Sequence, residues 1–208
     1  MDGNARDEKV QQRVLSRSNL LPDRLVTARQ VHGNRVGVVS KPERQVLPET
    51  DALVTDLDTA VLGIFTADCL PALFVDEDKG VCGAVHAGWR GSQQKILLAA
   101  LNLTMQKWQL NAERVKVHIG PHIRPCCYEV GPEVAAQFPE NCVVSRGGKA
   151  FLDLAQANAL QLAEAGVPAG NITVDYSCTK CDKRFFSYRR DRTENRMLNF
   201  IGKTGIYE

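Results

Sequence analysis

Alternating and continuous runs of hydrophobic residues recur along the first half of the chain and predict β-strands. Strands are expected in residues 24–40, which hold two strands around a turn at Gly33–Asn34, and in residues 51–56 and 60–69. Residues 71–86 predict a hairpin that turns at the polar stretch DEDKG. This hairpin places His86 at the far end of its second strand.

Hydrophobic residues near the 3.6-residue period predict helices between and after the strands. The expected helices are residues 5–20, residues 92–109 with Ser92 as N-cap, residues 132–138 with proline at the start, and residues 153–165 ending at Gly166. Two further strands are expected in residues 114–120 and 171–178. The mixture predicts an α/β fold, in which mixed β-sheets and flanking helices form one layered domain over residues 1–208.

Composition places the chain among ordinary globular proteins, because 44% of its 208 residues are hydrophobic and 24% are charged. A net charge of +2 gives no reason to expect nucleic acid or a membrane as a partner. The longest apolar runs are too short to span a bilayer, and the polar N-terminus lacks the apolar region of a signal peptide. We therefore expect a cytoplasmic protein that is a monomer or a homodimer.

The C-terminal residues 182–197 combine basic and aromatic side chains, with six Lys or Arg against three Asp or Glu. Such a run can bind nucleic acid. Because the whole chain is nearly neutral, we favour a strand at FFSY whose charged neighbours lie on a solvated face or form an anion site.

Two histidines and a cysteine at strand ends suggest a metal site. His32 lies at a turn, Cys69 ends one predicted strand, and His86 ends another before a glycine turn. These residue types suit zinc, and three protein ligands leave a fourth position open for water, as in catalytic zinc sites. Asp68, beside Cys69, is a candidate general base. No local ligand motif is present, so the interpretation of each residue as an ordinary hydrogen-bonded side chain stays open.

The other cysteines allow several interpretations. The stretch CTKC at residues 178–181 is typical of half a zinc knuckle or of a redox pair, and Cys126 and Cys127 can in principle complete a four-ligand site. Because the chain has no second C-x-x-C, packed or surface thiols are the favoured interpretation. Cys82 and Cys142 lie in hydrophobic stretches, which predicts burial.

Five motifs follow one another along the chain: QVHG, TADCLP, HAGWRG, GPHIRPCCYEVG and FFSYRRD. Together they resemble the laccase-domain family, also called multicopper polyphenol oxidase domain proteins, over residues 5–200. The resemblance implies a purine nucleoside phosphorylase with added adenosine deaminase activity. Its substrates would be phosphate and a purine nucleoside, namely adenosine or inosine, with methylthioadenosine as a further candidate. It also implies zinc held by His32, Cys69 and His86, with copper as an adventitious or alternative metal.

The resemblance implies roles for residues around this metal. Asp68 and Cys69 would be catalytic, with Asp68 relaying a proton to the departing ammonia in deamination. Arg13 resembles the arginine of a V-x-N-R-x-x-L pattern that faces substrate or phosphate, and is a third catalytic candidate. The substrate-binding candidates are Arg90, His122 and Arg124.

The chain departs from the family pattern at two places. Family members usually begin with a further segment that holds a strand and an S-L-N-L-G stretch, so we expect this strand and part of the pocket wall to be missing or replaced. In the family's ending R-R-D-G…T-G-R, Arg192 and Asn195 replace glycines, which leaves the conformation of that loop open.

Other functions stay open at this point. A copper oxidoreductase needs a histidine-rich cluster in addition to a His₂Cys centre, and four histidines cannot supply it. A cysteine hydrolase or amidase would use Cys69 as nucleophile and His86 as base. A metal-binding interaction module without catalysis is the third alternative.

Overall fold

The computed structural model describes residues 3–204, within which the chain forms thirteen β-strands and six α-helices. The strands are β1 (Leu25–Ala28), β2 (Val36–Val38), β3 (Gln45–Leu47), β4 (Ala52–Thr55), β5 (Val61–Thr66), β6 (Leu70–Asp76), β7 (Val81–Ala87), β8 (Lys116–Ile119), β9 (Glu129–Val130), β10 (Val143–Arg146), β11 (Lys149–Leu152), β12 (Ile172–Val174) and β13 (Met197–Gly202). The helices are α1 (Glu8–Arg17), α2 (Trp89–Gln93), α3 (Ile96–Trp108), α4 (Pro132–Ala135), α5 (Leu154–Glu164) and α6 (Tyr188–Asp191). None of the helices in this part of the chain combines the length and hydrophobicity of a membrane span.

Three sheets organise these strands. The largest has six strands in the order β12-β8-β6-β7-β4-β2, with parallel pairs at both edges and antiparallel pairs between them. A second sheet has the order β13-β5-β1-β3 and is also mixed, and a third, β10-β11-β9, is antiparallel. This architecture confirms the predicted α/β fold with mixed sheets and flanking helices.

Both faces of the six-stranded sheet are buried, because its central strands carry hydrophobic residues at successive positions. Side chains alternate along β7, so Val85 and Ala87 pack with the residues of α3 and α5, whereas Cys82 and Ala84 pack with β1 and β5 of the second sheet. His86 lies two residues after Ala84, so its side chain is on the same face of the sheet. Its ring is therefore directed to the end of the layer between the two sheets.

The hairpin of β6 and β7 depends on one glycine. Gly83 lies opposite Phe74 in the register, and a Cβ at Gly83 would lie 2.3 Å from the Phe74 ring. Phe74 is fully buried, so the missing side chain of Gly83 makes the space that this ring fills. The same pairing confirms the predicted hairpin and places Pro71 opposite His86.

Other predicted elements are present with local differences. The predicted strands within residues 24–40 form β1 and β2, but the two belong to different sheets. The prediction of Ser92 as an N-cap is wrong: Ser92 lies inside α2, and α3 begins after Lys95, whose φ of 59° interrupts the helical path. The helix over residues 153–165 is confirmed as α5, with Asp153 capping its start and Gly166 following its end at a φ of 84°.

The C-terminal segment differs most from expectation. The prediction of a strand at FFSY is wrong, because the Ser187 hydroxyl accepts the backbone N–H of Arg190 and starts α6 there. Arg192 ends that helix at a φ of 53°, the left-handed conformation that glycine adopts most easily. The loop thus keeps a backbone shape suited to the glycine that Arg192 replaces in the family pattern.

Candidate metal centre and substrate pocket

His32, Cys69 and His86 lie together, with one ligand atom from each within 4.8 Å of the others. We call this group the His/Cys/His centre. His32 follows β1, Cys69 lies in the turn between β5 and β6, and His86 is near the end of β7. The two imidazole rings meet edge to face, with centroids 4.8 Å apart. The antiparallel pairing of β6 with β7 carries the turn at Cys69 towards His86.

Asp51 organises two of these ligands from inside the protein. Its fully buried carboxylate lies 2.8 Å from Nδ1 of His86 and also accepts the backbone N–H groups of Val31, His32 and Gly33 at 2.9–3.1 Å. Because Nδ1 of His86 is occupied, Nε2 is the atom that remains to bind a metal. The backbone hydrogen bonds hold His32 at a φ of 61°, which histidine adopts less readily than glycine.

Sequence reasoning missed Asp51 because an acid before a hydrophobic strand is a common feature. Its partners lie 18 to 35 residues away along the chain, and no local spacing marks them. Burial by itself would raise the pKa of Asp51, but the hydrogen bonds from His86 and from backbone N–H groups outweigh it and lower the pKa. The carboxylate therefore stays charged behind the His/Cys/His centre.

The pKa values of Cys69 and His86 shift in opposite directions. Burial opposes both charged forms, but the charge of His86 and hydrogen bonds from both histidines lower the pKa of Cys69 to about 6. The Cys69 charge and the Asp51 hydrogen bond raise the pKa of His86 to about 9. The pair thus favours a Cys69 thiolate, which is the form that binds a metal or attacks an electrophile.

Two observations show that these residues fit a metal ion. Two imidazoles and a thiolate are a donor set typical of zinc. Gly88 also leaves room beside the ligands: a Cβ there would lie 3.0 Å from Sγ of Cys69 and 3.1 Å from Cδ2 of His32. The His/Cys/His centre can therefore hold a metal ion through one atom of each side chain.

Asp68 connects the turn before Cys69 to the C-terminal segment. One carboxylate oxygen accepts the Thr179 hydroxyl at 2.6 Å, and the other accepts the backbone N–H of Arg189 at 2.6 Å. The residue is buried and has a φ of 95°, a strained conformation that such partners must maintain. Asp68 also lines the pocket beside Cys69, and its role as a general base stays a prediction.

The His/Cys/His centre lies in the wall of a cavity of about 440 Å³, a volume within the usual range for small-molecule sites. The aromatic and arginine side chains in the wall are Phe65, Tyr128, Tyr188, Arg6, Arg189 and Arg196. The Arg189 guanidinium lies 5.2 Å from the centroid of the Tyr128 ring and donates to the Glu129 carbonyl at 2.8 Å. Tyr128 and Arg189 belong to two of the sequence motifs, whereas Arg6 lies in none of them.

The remaining predicted site residues lie outside the lining of this cavity. Arg13 is on the exposed side of α1, and Arg90 stacks on the ring of Trp89, 4.4 Å from its centroid. His122 is fully buried, donates from Nδ1 to a backbone carbonyl, and accepts from Arg124 at Nε2. Burial lowers the pKa of His122 to about 4. The roles implied for these four residues stay predictions.

Comparison with known proteins identifies the family. The family model described as "Multi-copper polyphenol oxidoreductase laccase" matches residues 2–204. The chain belongs to this family.

Among relatives, the chain is 39% identical to purine nucleoside phosphorylase YlmD of Geobacillus stearothermophilus over 199 residues, which cover 87% of this chain and 73% of the relative. It is 40% identical over 185 residues to adenosine deaminase RL5 from an unknown prokaryotic organism, covering 81% of this chain and 70% of the relative. Related proteins thus carry the names of two different activities on nucleosides.

Solved structures agree with the fold. The crystal structure of YlmD from Geobacillus stearothermophilus matches with a TM-score of 0.89 at 35% identity, over 96% of this chain and 82% of that one. The hypothetical protein YfiH of Bacillus licheniformis also gives a TM-score of 0.89, at 30% identity, over 94% of this chain and 80% of that one.

Proposed function

We propose that this chain is a zinc-dependent purine nucleoside phosphorylase that also deaminates adenosine, and that both reactions take place in the cavity beside the His/Cys/His centre. One observation carries the proposal: a single cavity joins the three metal ligands to aromatic rings and arginines. The names of the relatives YlmD and RL5 support the same two activities.

The cavity offers separate partners for the parts of the substrates. A purine has an aromatic face that can stack on Phe65, Tyr128 or Tyr188. Phosphate is a dianion that arginine binds with paired N–H donors, and Arg6, Arg189 and Arg196 lie in the same wall. Binding both substrates in one cavity brings phosphate to C1′ of the ribose, where it replaces the base. The phosphate-binding roles predicted for Arg13 and Arg90 stay alternatives to this assignment.

Zinc bound by His32, Cys69 and His86 would supply a Lewis acid that polarises an oxygen or activates water near neutral pH. Asp51 holds His86 so that Nε2 faces the metal position. In deamination, we propose that the Asp68 carboxylate moves the proton that the departing ammonia needs. The Thr179 hydroxyl and the Arg189 N–H fix this carboxylate in the cavity wall.

The geometry also favours a second candidate, a cysteine hydrolase. Cys69, His86 and Asp51 are arranged like a catalytic triad, in which Cys69 would be the nucleophile, His86 the base and Asp51 the acid that orients the base. His32 has no part in such a triad, whereas a metal site uses all three residues of the centre. For this reason we place the hydrolase second. The remaining two histidines do not build a copper cluster, since His118 bonds Thr173 and His122 is buried against Gly120.

The test is product chromatography from adenosine with zinc-loaded protein, with and without phosphate. We expect adenine and ribose 1-phosphate only when phosphate is present, and inosine in both reactions. Cys69→Ala should lose zinc from the centre and both products, while the control Cys82→Ala, a buried cysteine of β7 outside the cavity, should retain them. Absence of both products from zinc-loaded wild-type protein would refute the proposal.

Alkylation separates the two candidates. If Cys69 is a metal ligand, an alkylating reagent should modify it rapidly after zinc has been chelated, so that activity does not return when zinc is restored, and should modify it far more slowly at full zinc occupancy. If Cys69 is a nucleophile, inactivation should not depend on zinc. The modified residue is identified by peptide mass spectrometry, because Cys126 and Cys181 are also exposed to the reagent.

A further inference from the structure

Four cysteines from two distant segments converge in a second cluster, separate from the His/Cys/His centre. The sulfur atoms of Cys126, Cys127, Cys178 and Cys181 all lie within 4.8 Å of one another. Cys181 Sγ is 3.8 Å from Cys126 Sγ and 3.3 Å from Cys127 Sγ, and all four residues are free thiols. In a tetrahedral site with zinc–sulfur bonds of about 2.3 Å, neighbouring sulfurs are about 3.8 Å apart. The four-cysteine cluster therefore has the dimensions of a metal site.

We propose that the four-cysteine cluster binds a structural zinc ion. Cys178 and Cys181 have the C-x-x-C spacing of zinc knuckles, and the turn between them closes with backbone N–H groups of residues 181 and 182 on the Cys178 carbonyl. Cys126 and Cys127 lie in a similar turn that closes on the Arg124 carbonyl. Four thiolates occupy all four coordination positions of a tetrahedral zinc ion and leave none for a substrate, which is typical of a structural site.

Nearby donors and cations suit the charge of such a site. Zinc with four thiolates carries a net charge of −2, which the surroundings must stabilise. The backbone N–H of Arg124 points to Sγ of Cys178 at 3.5 Å, and the Arg146 guanidinium donates to the Cys126 carbonyl at 3.2 Å. Arg190 donates to the carbonyls of Thr179 and Lys180, which lie between Cys178 and Cys181. These contacts bring a guanidinium group to each of the two turns that supply the thiolates, and the Arg190 guanidinium also pairs with Asp191.

The position of the cluster explains what a structural ion would do. Thr179, between Cys178 and Cys181, donates to Asp68 in the pocket wall, and Tyr128, which follows Cys127, lines the same pocket. One zinc ion would thus tie together two segments that position pocket residues. The site does not depend on the function proposed above, since it would hold these walls for any reaction.

The test counts zinc by elemental analysis of protein purified under reducing conditions without chelator. We expect two zinc ions per chain in the wild-type protein, and one each in Cys69→Ala and in Cys181→Ser. Cys181 is exposed, so serine fits there without repacking. The matched control is Cys142→Ala, which changes a buried cysteine outside both metal-capable groups and should keep two zinc ions.

X-ray absorption of zinc-loaded Cys69→Ala examines the cluster without a substitution in it. Four sulfur neighbours at about 2.3 Å are expected. Nitrogen or oxygen neighbours, iron in place of zinc, or an unchanged zinc content in Cys181→Ser would each overturn the proposal. A Cys178–Cys181 disulfide, detected by mass spectrometry of the non-reduced protein, would overturn it as well and would identify a redox pair.

Discussion

The Asp51 carboxylate lies 2.8 Å from Nδ1 of His86, and this hydrogen bond leaves Nε2 of His86 to face the rest of the His/Cys/His centre. The same carboxylate accepts the N–H of His32, so one buried acid positions two ligands that are far apart along the chain. A metal-binding histidine commonly depends on such a carboxylate for its tautomer and orientation. The zinc affinity of the His/Cys/His centre should therefore depend on Asp51, which does not itself contact the metal.

Asp51→Asn should weaken zinc binding at the centre by roughly 10- to 100-fold, because the amide removes the negative charge behind His86. Zinc affinity is measured by competition with a chromophoric chelator. Asp76→Asn is the matched control. Asp76 is also buried and also accepts backbone N–H groups, but it lies at the opposite end of the β6–β7 hairpin. Equal losses in the two variants would show that Asp51 supports the fold and has no special role at the centre.

Gly83→Ala should destabilise the protein by about 1–3 kcal/mol, because the added methyl group has no space beside the Phe74 ring. The measurement is the free energy of unfolding in urea. Phe74→Leu, which shortens the opposing side chain, should relieve part of this cost. The double variant is then expected to lose about 0.5–3 kcal/mol less unfolding free energy than the sum of the losses in the two single variants. Simple additivity would mean that the two residues do not compete for the same space.

The sequence predicted local features better than long-range ones. Two hydrophobic runs around the polar stretch DEDKG predict the hairpin of residues 71–86, and the strand-end positions of His32, Cys69 and His86 select residues that the fold brings together. The separation of β1 and β2 into different sheets was not foreseen, since strand pairing depends on partners far along the chain.

The C-terminal segment shows a second reason why predictions from the sequence fail. The alternation of FFSY suggested a strand, but Ser187 prefers to cap a helix, and the strand of this region lies later, at Met197–Gly202. The role of Asp51 was missed for a similar reason, because a carboxylate that serves partners from three segments has no local pattern. The sequence leaves the four-cysteine site as one alternative, and only the fold brings Cys181 to Cys127 and Cys126, which lie 54 and 55 residues away along the chain.

Asp68→Asn should retain zinc yet reduce the kcat of adenosine deamination by about 10²- to 10⁴-fold, the usual contribution of a general acid or base. Asparagine tolerates the positive φ of this position as aspartate does. Its amide oxygen can still accept the Arg189 N–H while its NH₂ donates to the Thr179 hydroxyl oxygen, so the backbone should be little affected. Phosphorolysis should fall much less. Thr179→Val removes the hydroxyl that donates to Asp68 but keeps the carboxylate, so it should lower deamination far less than Asp68→Asn. If zinc is lost from Asp68→Asn, the carboxylate supports the metal site and does not move protons.

Gly88→Ala should reduce zinc affinity because its methyl group would crowd the ligands at 3.0 Å from Cys69 Sγ and 3.1 Å from His32 Cδ2. An overpacking cost of about 1–3 kcal/mol corresponds to roughly 5- to 150-fold weaker binding. Gly88 has a φ of −71°, which alanine adopts without strain, and without a metal the side chains of Cys69 and His32 are free to turn away from the methyl group. The metal-free protein should therefore unfold at a similar urea concentration to the wild type. Gly170→Ala is the control, since nothing lies within 4 Å of a Cβ there. Unchanged zinc affinity in Gly88→Ala would contradict this prediction, because it would mean that Cys69 and His32 yield by the few tenths of an ångström that the methyl group needs and still bind the metal.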